Sequence, residues 1–139
     1  DGKIFSILKF RSMIEHIEDG KIYITKHKDN RITKVGYIIR KTKIDELPQL
    51  VNILKGDMSL VGTRPPLPGE VSEYEIHHRA RLAIKPGITG MWQVNGRSDT
   101  TYEERVQMDS WYVRNWGVWL DIMLLWRTFG VVLQHKGAY

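Results

Sequence analysis

At 139 residues the chain is long enough for one domain with one core and short for two. It contains no cysteine, which excludes disulfides, thiolate zinc sites and a cysteine nucleophile, and fits a reducing, intracellular compartment. Lys and Arg outnumber Asp and Glu by 21 to 16, and this basic balance favours nucleic acid, phosphorylated small molecules or an acidic membrane face without choosing among them.

A single domain over 1–139 is expected. The chain opens at Asp1 directly into patterned sequence, which reads as a piece of a longer protein, and no signal peptide is expected in these residues. GKIFSILKFRSM alternates, with Ile4, Leu8 and Phe10 on one side and Phe5, Ile7, Lys9 and Arg11 on the other, a strand-like period. KIYITK, 21–26, is rich in β-branched and aromatic residues and is expected to pair with it as an antiparallel hairpin. From Thr33 the period changes, and Val35, Ile38 and Ile39 predict a short helix. In DELPQLVNILKG, Leu47, Leu50, Val51 and Leu54 recur at i, i+3, i+4 and i+7, and Gly56 supplies the stop.

MSLVGTRPPLPG is a short apolar run that breaks into a loop, because Pro65, Pro66 and Pro68 suit neither a central strand nor a helix interior. A charged helix is predicted over 69–83. KPGITGMWQVNGR predicts an ordered, turn-rich loop with a short strand. Thr100 with Glu103, or Thr101 with Glu104, offers a capping box for a further helix.

The stretch 111–133 is nearly continuous in apolar residues but carries Arg114, Asp121 and Arg127. Each charge at a bilayer centre costs about 2.5–3.5 kcal/mol on insertion scales, so a transmembrane span is rejected. Its four tryptophans and flanking arginines fit either a packed core helix or a segment at the headgroup level. The expected class is α+β: a mainly helical single domain with a small β-hairpin and an amphipathic, membrane-interfacial C-terminal segment.

Asp45 and Glu46 are adjacent, so on a helix they point about 100° apart and do not converge as a shared-proton dyad. Two separate tasks are open to them, one carboxylate holding a metal and the other approaching a substrate. The plainer reading is that they are first-turn carboxylates favoured by the helix dipole, with Thr42 and Asp45 resembling a capping box. Arg40, Arg64 and Arg97 lie in or beside turn-rich segments, where a planar guanidinium suits diphosphate oxygens, though solvated surface arginine explains each alone. Glu73 and His77 form one i, i+4 pair, too few ligands for a metal site. No Walker-type loop, nucleophile elbow, dinucleotide fingerprint or nucleic-acid recognition module is present, and no nucleic-acid partner is expected.

Taken in order, KFRSM (9–13), RKTKIDELPQLVNILKGDMSLVGTRP (40–65), KPGITGMWQVNGR (85–97) and MDSWYVRNW with LDIMLLWRTF resemble the catalytic domain of bacterial sugar transferases. These are monotopic polyprenyl-phosphate phosphoglycosyl transferases. The resemblance implies transfer of a hexose 1-phosphate from a UDP-sugar, with UDP-glucose or UDP-galactose preferred, to undecaprenyl phosphate, starting exopolysaccharide or capsule assembly. It implies Asp45 as the nucleophile on phosphorus, Glu46 as a Mg²⁺ ligand, and Lys9, Arg40, Arg64, Pro65 and Arg97 around the diphosphate and nucleotide. It also implies residence at the cytoplasmic face of the bacterial membrane, with a hydrophobic membrane helix upstream of KFRSM that this chain lacks.

Two departures from the family pattern stand out. Thr63 replaces a common proline before Arg64 and is expected to loosen that loop, and the stretch between KFRSM and RITKVG is short. A non-catalytic basic module binding nucleic acid or an acidic membrane is the alternative from another class.

Overall fold

The computed structural model describes residues 3–14, 30–75, 78–95 and 100–133. Helix α1 is Lys34–Lys41, and Thr33 starts it, its Oγ1 accepting the Gly36 N–H at 2.8 Å. A 3₁₀ turn, Ile44–Glu46, leads through Pro48 into α2, Gln49–Leu54. Strand β1 is Ser59–Val61, α3 is Pro68–Ser72, and a second 3₁₀ segment covers His78–Leu82. Strand β2, Gly87–Thr89, precedes α4, Met91–Asn95, and the chain closes with α5, Tyr102–Arg114, and α6, Val118–Leu133.

The sheet differs from the expected hairpin. It pairs β1 with β2 in parallel, Ser59 opposite Gly87 and Val61 opposite Thr89. A parallel pair needs a crossover, and residues 62–86 supply it. The alternating opening segment forms no strand, only a single antiparallel bridge from Met13 to Ile32. Its amides are taken up elsewhere: Leu8 N–H donates to the Asn52 side chain and Phe10 N–H to the Asp45 carbonyl. Its expected partner, 21–26, lies outside the described residues.

The DELPQLVNILKG helix also begins later than its periodicity suggests. Its first turn is 3₁₀, and α2 starts at Gln49. Gly56 ends it with φ +80°, a conformation glycine adopts without steric cost. The apolar face of this helix points outward: Leu54 is 87% exposed, and Leu47, Leu50 and Val51 are also exposed, while Gln49 and Asn52 are buried.

The predicted 69–83 helix is replaced by α3 and the short 3₁₀ segment. The Thr101–Glu104 box is the one that forms: Glu104 N–H donates to Thr101 Oγ1, and Glu104 Oε2 accepts the Thr101 N–H at 2.7 Å. The apolar stretch 111–133 is divided by a break at Asn115–Gly117 into the end of α5 and all of α6. Among the described residues no helix is long and apolar enough to cross a membrane.

The core lies where α5 and α6 meet the sheet. Val61, Tyr112 and Leu124 are buried together, with Ile84, Met91, Val94 and Leu120 packed around them. Tyr112 Oη donates to Asp121 Oδ1 across the α5–α6 break, satisfying a phenol that burial would otherwise penalise. Thr128 Oγ1 donates to the Leu124 carbonyl at 2.7 Å, so the Thr89 hydroxyl, also 2.7 Å away, is the donor to Thr128 and joins β2 to α6. Beyond this small core, α6 turns Trp119 and Trp126 outward, 79% and 78% exposed, with Phe129 and Leu133 along the same side.

Candidate active site

The site begins where α1 stops. Thr42 closes the helix, and Lys43 follows with φ 61°, the left-handed conformation that costs a non-glycine residue on the order of 1 kcal/mol. That reversal carries the chain into the Ile44–Glu46 turn, closed by Glu46 N–H to the Lys43 carbonyl and Leu47 N–H to the Ile44 carbonyl. One carboxylate faces in and the other out: Asp45 is buried, whereas the Glu46 side chain keeps a quarter of its surface exposed. The adjacent pair therefore diverges, as side-by-side helical residues should.

The opening segment passes beside this turn. It can approach α1 because Gly36 is buried against Ser12, where a Cβ would lie 1.9 Å from the Ser12 carbonyl oxygen. Lys9 Nζ stands 3.4 Å from Glu46 Oε1 and Lys43 Nζ 3.8 Å from the same oxygen. Asp45 Oδ1 is buried with no hydrogen-bond partner among the described residues. Burial raises the Asp45 carboxyl above its ordinary range, and the charge of Glu46 adds to this, while Lys43, Lys9 and Arg40 pull the other way. A desolvated carboxylate ringed by cations at middle distance, with one oxygen uncommitted, is suited to meeting an electrophile that carries negative charge.

Lys9, Arg40, Asp45 and Glu46 thus lie near one another, and Lys43 joins them. Lys43 was visible as a neighbour, but nothing in its type announces a left-handed backbone. Arg64 is exposed on the loop after β1, with Pro65 partly buried behind it, and its charge acts on Asp109. Arg97 lies outside the described residues. Thr63, expected to loosen the loop, is tied at both ends: its Oγ1 donates to the Arg81 carbonyl at 3.0 Å and its own carbonyl accepts the Gly87 N–H at 2.9 Å.

A second polar cluster went unread in the sequence. Arg81 Nε donates to Asp109 Oδ2 at 2.9 Å and Arg81 Nη1 to Tyr74 Oη at 3.0 Å, all within the protein interior. Burial pushes the Asp109 carboxyl up to about 6 against the pull of Arg81, and Tyr74 up to about 12. The only forewarning was a charge inside the apolar context of MDSWYV.

No group of three or more His, Asp or Glu gathers among the described residues. A Mg²⁺ site does not require one, since that ion keeps waters and binds through one or two carboxylates plus substrate phosphates. The Glu46 Oε2, which takes part in neither lysine pair, is an oxygen of the right kind.

This small α+β domain thus sets a carboxylate pair, one buried and one outward, beside Lys9, Lys43 and Arg40. Residues 1–135 match the bacterial sugar transferase family, and the chain belongs to it. It is 46% identical over 158 residues to a UDP-galactose-lipid carrier transferase of Erwinia amylovora, covering all of this chain and 32% of that protein. It is 43% identical over 147 residues to the UDP-glucose:undecaprenyl-phosphate glucose-1-phosphate transferase of Xanthomonas campestris pv. campestris, covering 99% of this chain and 30% of that one. An exopolysaccharide production protein of Sinorhizobium fredii is 36% identical over 154 residues, covering all of this chain and 68% of its own length. The chain thus spans about a third of the length of the first two.

Proposed function

We propose that this chain moves a hexose 1-phosphate from UDP-glucose or UDP-galactose to undecaprenyl phosphate through a covalent intermediate on Asp45, initiating exopolysaccharide or capsule assembly. The observation that carries the reading is the buried Asp45 with its unpartnered Oδ1, beside an outward Glu46 and inside a set of cations. In the first step an Asp45 oxygen attacks the sugar-bearing β-phosphorus, the bond from that phosphorus to the bridging oxygen breaks, and UMP leaves with the electron pair. In the second, an oxygen of undecaprenyl phosphate attacks the same phosphorus and the Asp45 carboxylate is released. Both displacements occur at phosphorus, so the anomeric bond survives.

Two like unit charges 4 Å apart repel by about 4 kcal/mol at an effective dielectric near 20, so a carboxylate does not approach a diphosphate unaided. Lys9, Lys43 and Arg40 offset that repulsion, and Arg64, Pro65 and Arg97 are assigned to the diphosphate and nucleotide by the family motif. Glu46 would hold Mg²⁺, which would supply charge neutralisation on the phosphate oxygens.

The acceptor phosphate lies at a headgroup plane, and the exposed apolar surface supports placement there. Helix α2 exposes Leu50, Val51 and Leu54, α1 exposes Val35, Tyr37 and Ile38 in a segment that also carries Lys34, Arg40 and Lys41, and α6 presents Trp119, Trp126 and Phe129. Apolar side chains with basic neighbours are the composition of a monotopic surface on an anionic leaflet, here the cytoplasmic face of the bacterial membrane.

The test omits the lipid. Full-length protein incubated with UDP-hexose and Mg²⁺ should release UMP in an amount limited by the enzyme and gain a phosphohexose mass on the peptide containing Asp45. An adduct on another residue, or undiminished signals in Asp45→Asn, would remove the nucleophile assignment.

A further inference from the structure

Lys9 is half exposed. A lysine side chain loses about 1.5–2 kcal/mol of rotamer freedom when fixed, so its placement at Glu46 has to come from the backbone that carries it. That backbone has no strand neighbour over residues 3–12. One side chain stands in for the neighbour. Asn52, 2% exposed on α2, donates from Nδ2 to the Ser6 carbonyl at 2.9 Å and accepts the Leu8 N–H on Oδ1 at 3.0 Å. A carboxamide presents one donor and one acceptor side by side, as the edge of a strand does. Two residues on, Phe10 N–H donates to the Asp45 carbonyl at 2.9 Å. Lys9 is therefore held between two anchored amides, one fixed by Asn52 and the other by the residue assigned as nucleophile.

We propose that Asn52 is the positioning residue for Lys9: its carboxamide sets the register of residues 6–10 against α2, and that register delivers the Lys9 ammonium to Glu46. The role in catalysis rests on the phosphoglycosyl transfer reading, whereas the structural half of the proposal does not. The Asn52 carboxamide is committed to Ser6 and Leu8, and its role is to act through Lys9. Its own carbonyl, which accepts from Asp57 and Met58 N–H, belongs to the backbone and survives any side-chain change.

Two measurements on the full-length protein separate these halves. In Mg²⁺-free buffer without donor, acylation of Lys9 by a water-soluble amine reagent, followed by peptide mass, should rise severalfold in Asn52→Leu, reaching the level of Glu46→Gln while Lys55 stays constant. Asn52→Asp keeps the Leu8 acceptor and loses the Ser6 donor, so it should fall between. An unchanged Lys9 rate in both variants overturns the proposal whatever reaction the protein performs. In the UMP-release assay, Asn52→Leu and Lys9→Ala should each lower kcat/KM by about 10- to 100-fold, the scale of a misplaced group, and the double variant should be no worse than Lys9→Ala alone. Multiplying losses would mean that Asn52 acts through the fold at large and would overturn it. Absence of UMP release from the unaltered protein would sink the transferase reading instead, leaving the acylation result to decide for Asn52.

Discussion

Asp45 and Asp109 are both buried aspartates, both raised by desolvation, and each leaves its Oδ1 without a hydrogen-bond partner among the described residues. They differ in what holds them. Asp109 is fully enclosed and bound through Oδ2 to the Arg81 guanidinium, which is itself fixed by Tyr74. Asp45 sits in a short turn, has no ion pair among the described residues, and leaves the nearby lysines to Glu46. Burial alone does not mark a reactive carboxylate. A buried guanidinium bonded to the carboxylate commits the group to the fold, whereas cations paired with the next residue leave it available.

The sharpest way to break the comparison is to neutralise each carboxylate. Asp45→Asn should lower UMP release by about a thousandfold or more, since a nucleophile has no substitute, while removing a buried charge leaves the unfolding midpoint unchanged or higher. Asp109→Asn should do the reverse, altering stability first. Similar activity losses at matched stability would erase the distinction.

Next in size is the Arg81 pair itself. Arg81→Ala leaves the Asp109 charge buried without its partner and should cost about 3–5 kcal/mol, read as a fall in denaturant midpoint. Replacing both, Arg81→Met with Asp109→Leu, should recover most of that loss. Failure of the double variant to recover would mean that the pair also fixes the bond from the Thr63 hydroxyl to the Arg81 carbonyl and hence the Arg64 loop.

The two aspartates also predict a pH dependence of defined sign. The folded-state value of Asp109, about 6, lies above its ordinary 3.8, so the native protein holds that proton more tightly than the unfolded chain. The resulting stabilisation is complete below pH 3.8 and is lost as pH rises to about 6, a change on the order of 3 kcal/mol. Subtracting the stability curve of Asp109→Asn from that of the unaltered protein should expose this downward slope. A flat or rising difference would place the ionised form of Asp109 as the favoured one. Asp45 is raised by the same cause, so UMP release should lose activity on acidification from a pH above that of an ordinary carboxylate.

The contrast also explains what the sequence made legible. Helix α1, the Gly56 stop, the Thr101–Glu104 box and the gathering of Lys9 and Arg40 at Asp45 and Glu46 all follow from local chemistry or motif. Periodicity identified the apolar stripe of α2 but not its direction, because period records which residues share a face and not what covers it. Here Gln49 and Asn52 face inward and the leucines outward. The parallel sheet depends on a pairing across the 62–86 crossover, and the Arg81–Asp109 bond joins positions 28 residues apart. Neither has a local signature.

The smallest expected effect tests whether the two aspartate regions are independent. Thr101 begins α5, the helix that carries Asp109, and its hydroxyl accepts the Glu104 N–H while Glu104 returns the bond to the Thr101 amide. Thr101→Ala removes the hydroxyl from an exposed cap and should cost about 1 kcal/mol. Those bonds also lower the Glu104 carboxyl, so their contribution is present at neutral pH and fades as acid protonates Glu104, the opposite sign to Asp109. The loss in Thr101→Ala should therefore shrink at low pH. Because α5 packs chiefly on the 78–82 segment and on α4, UMP release at saturating donor should stay within about twofold of the unaltered protein. A larger fall would mean that strain at the start of α5 reaches Asp45 and couples the two regions.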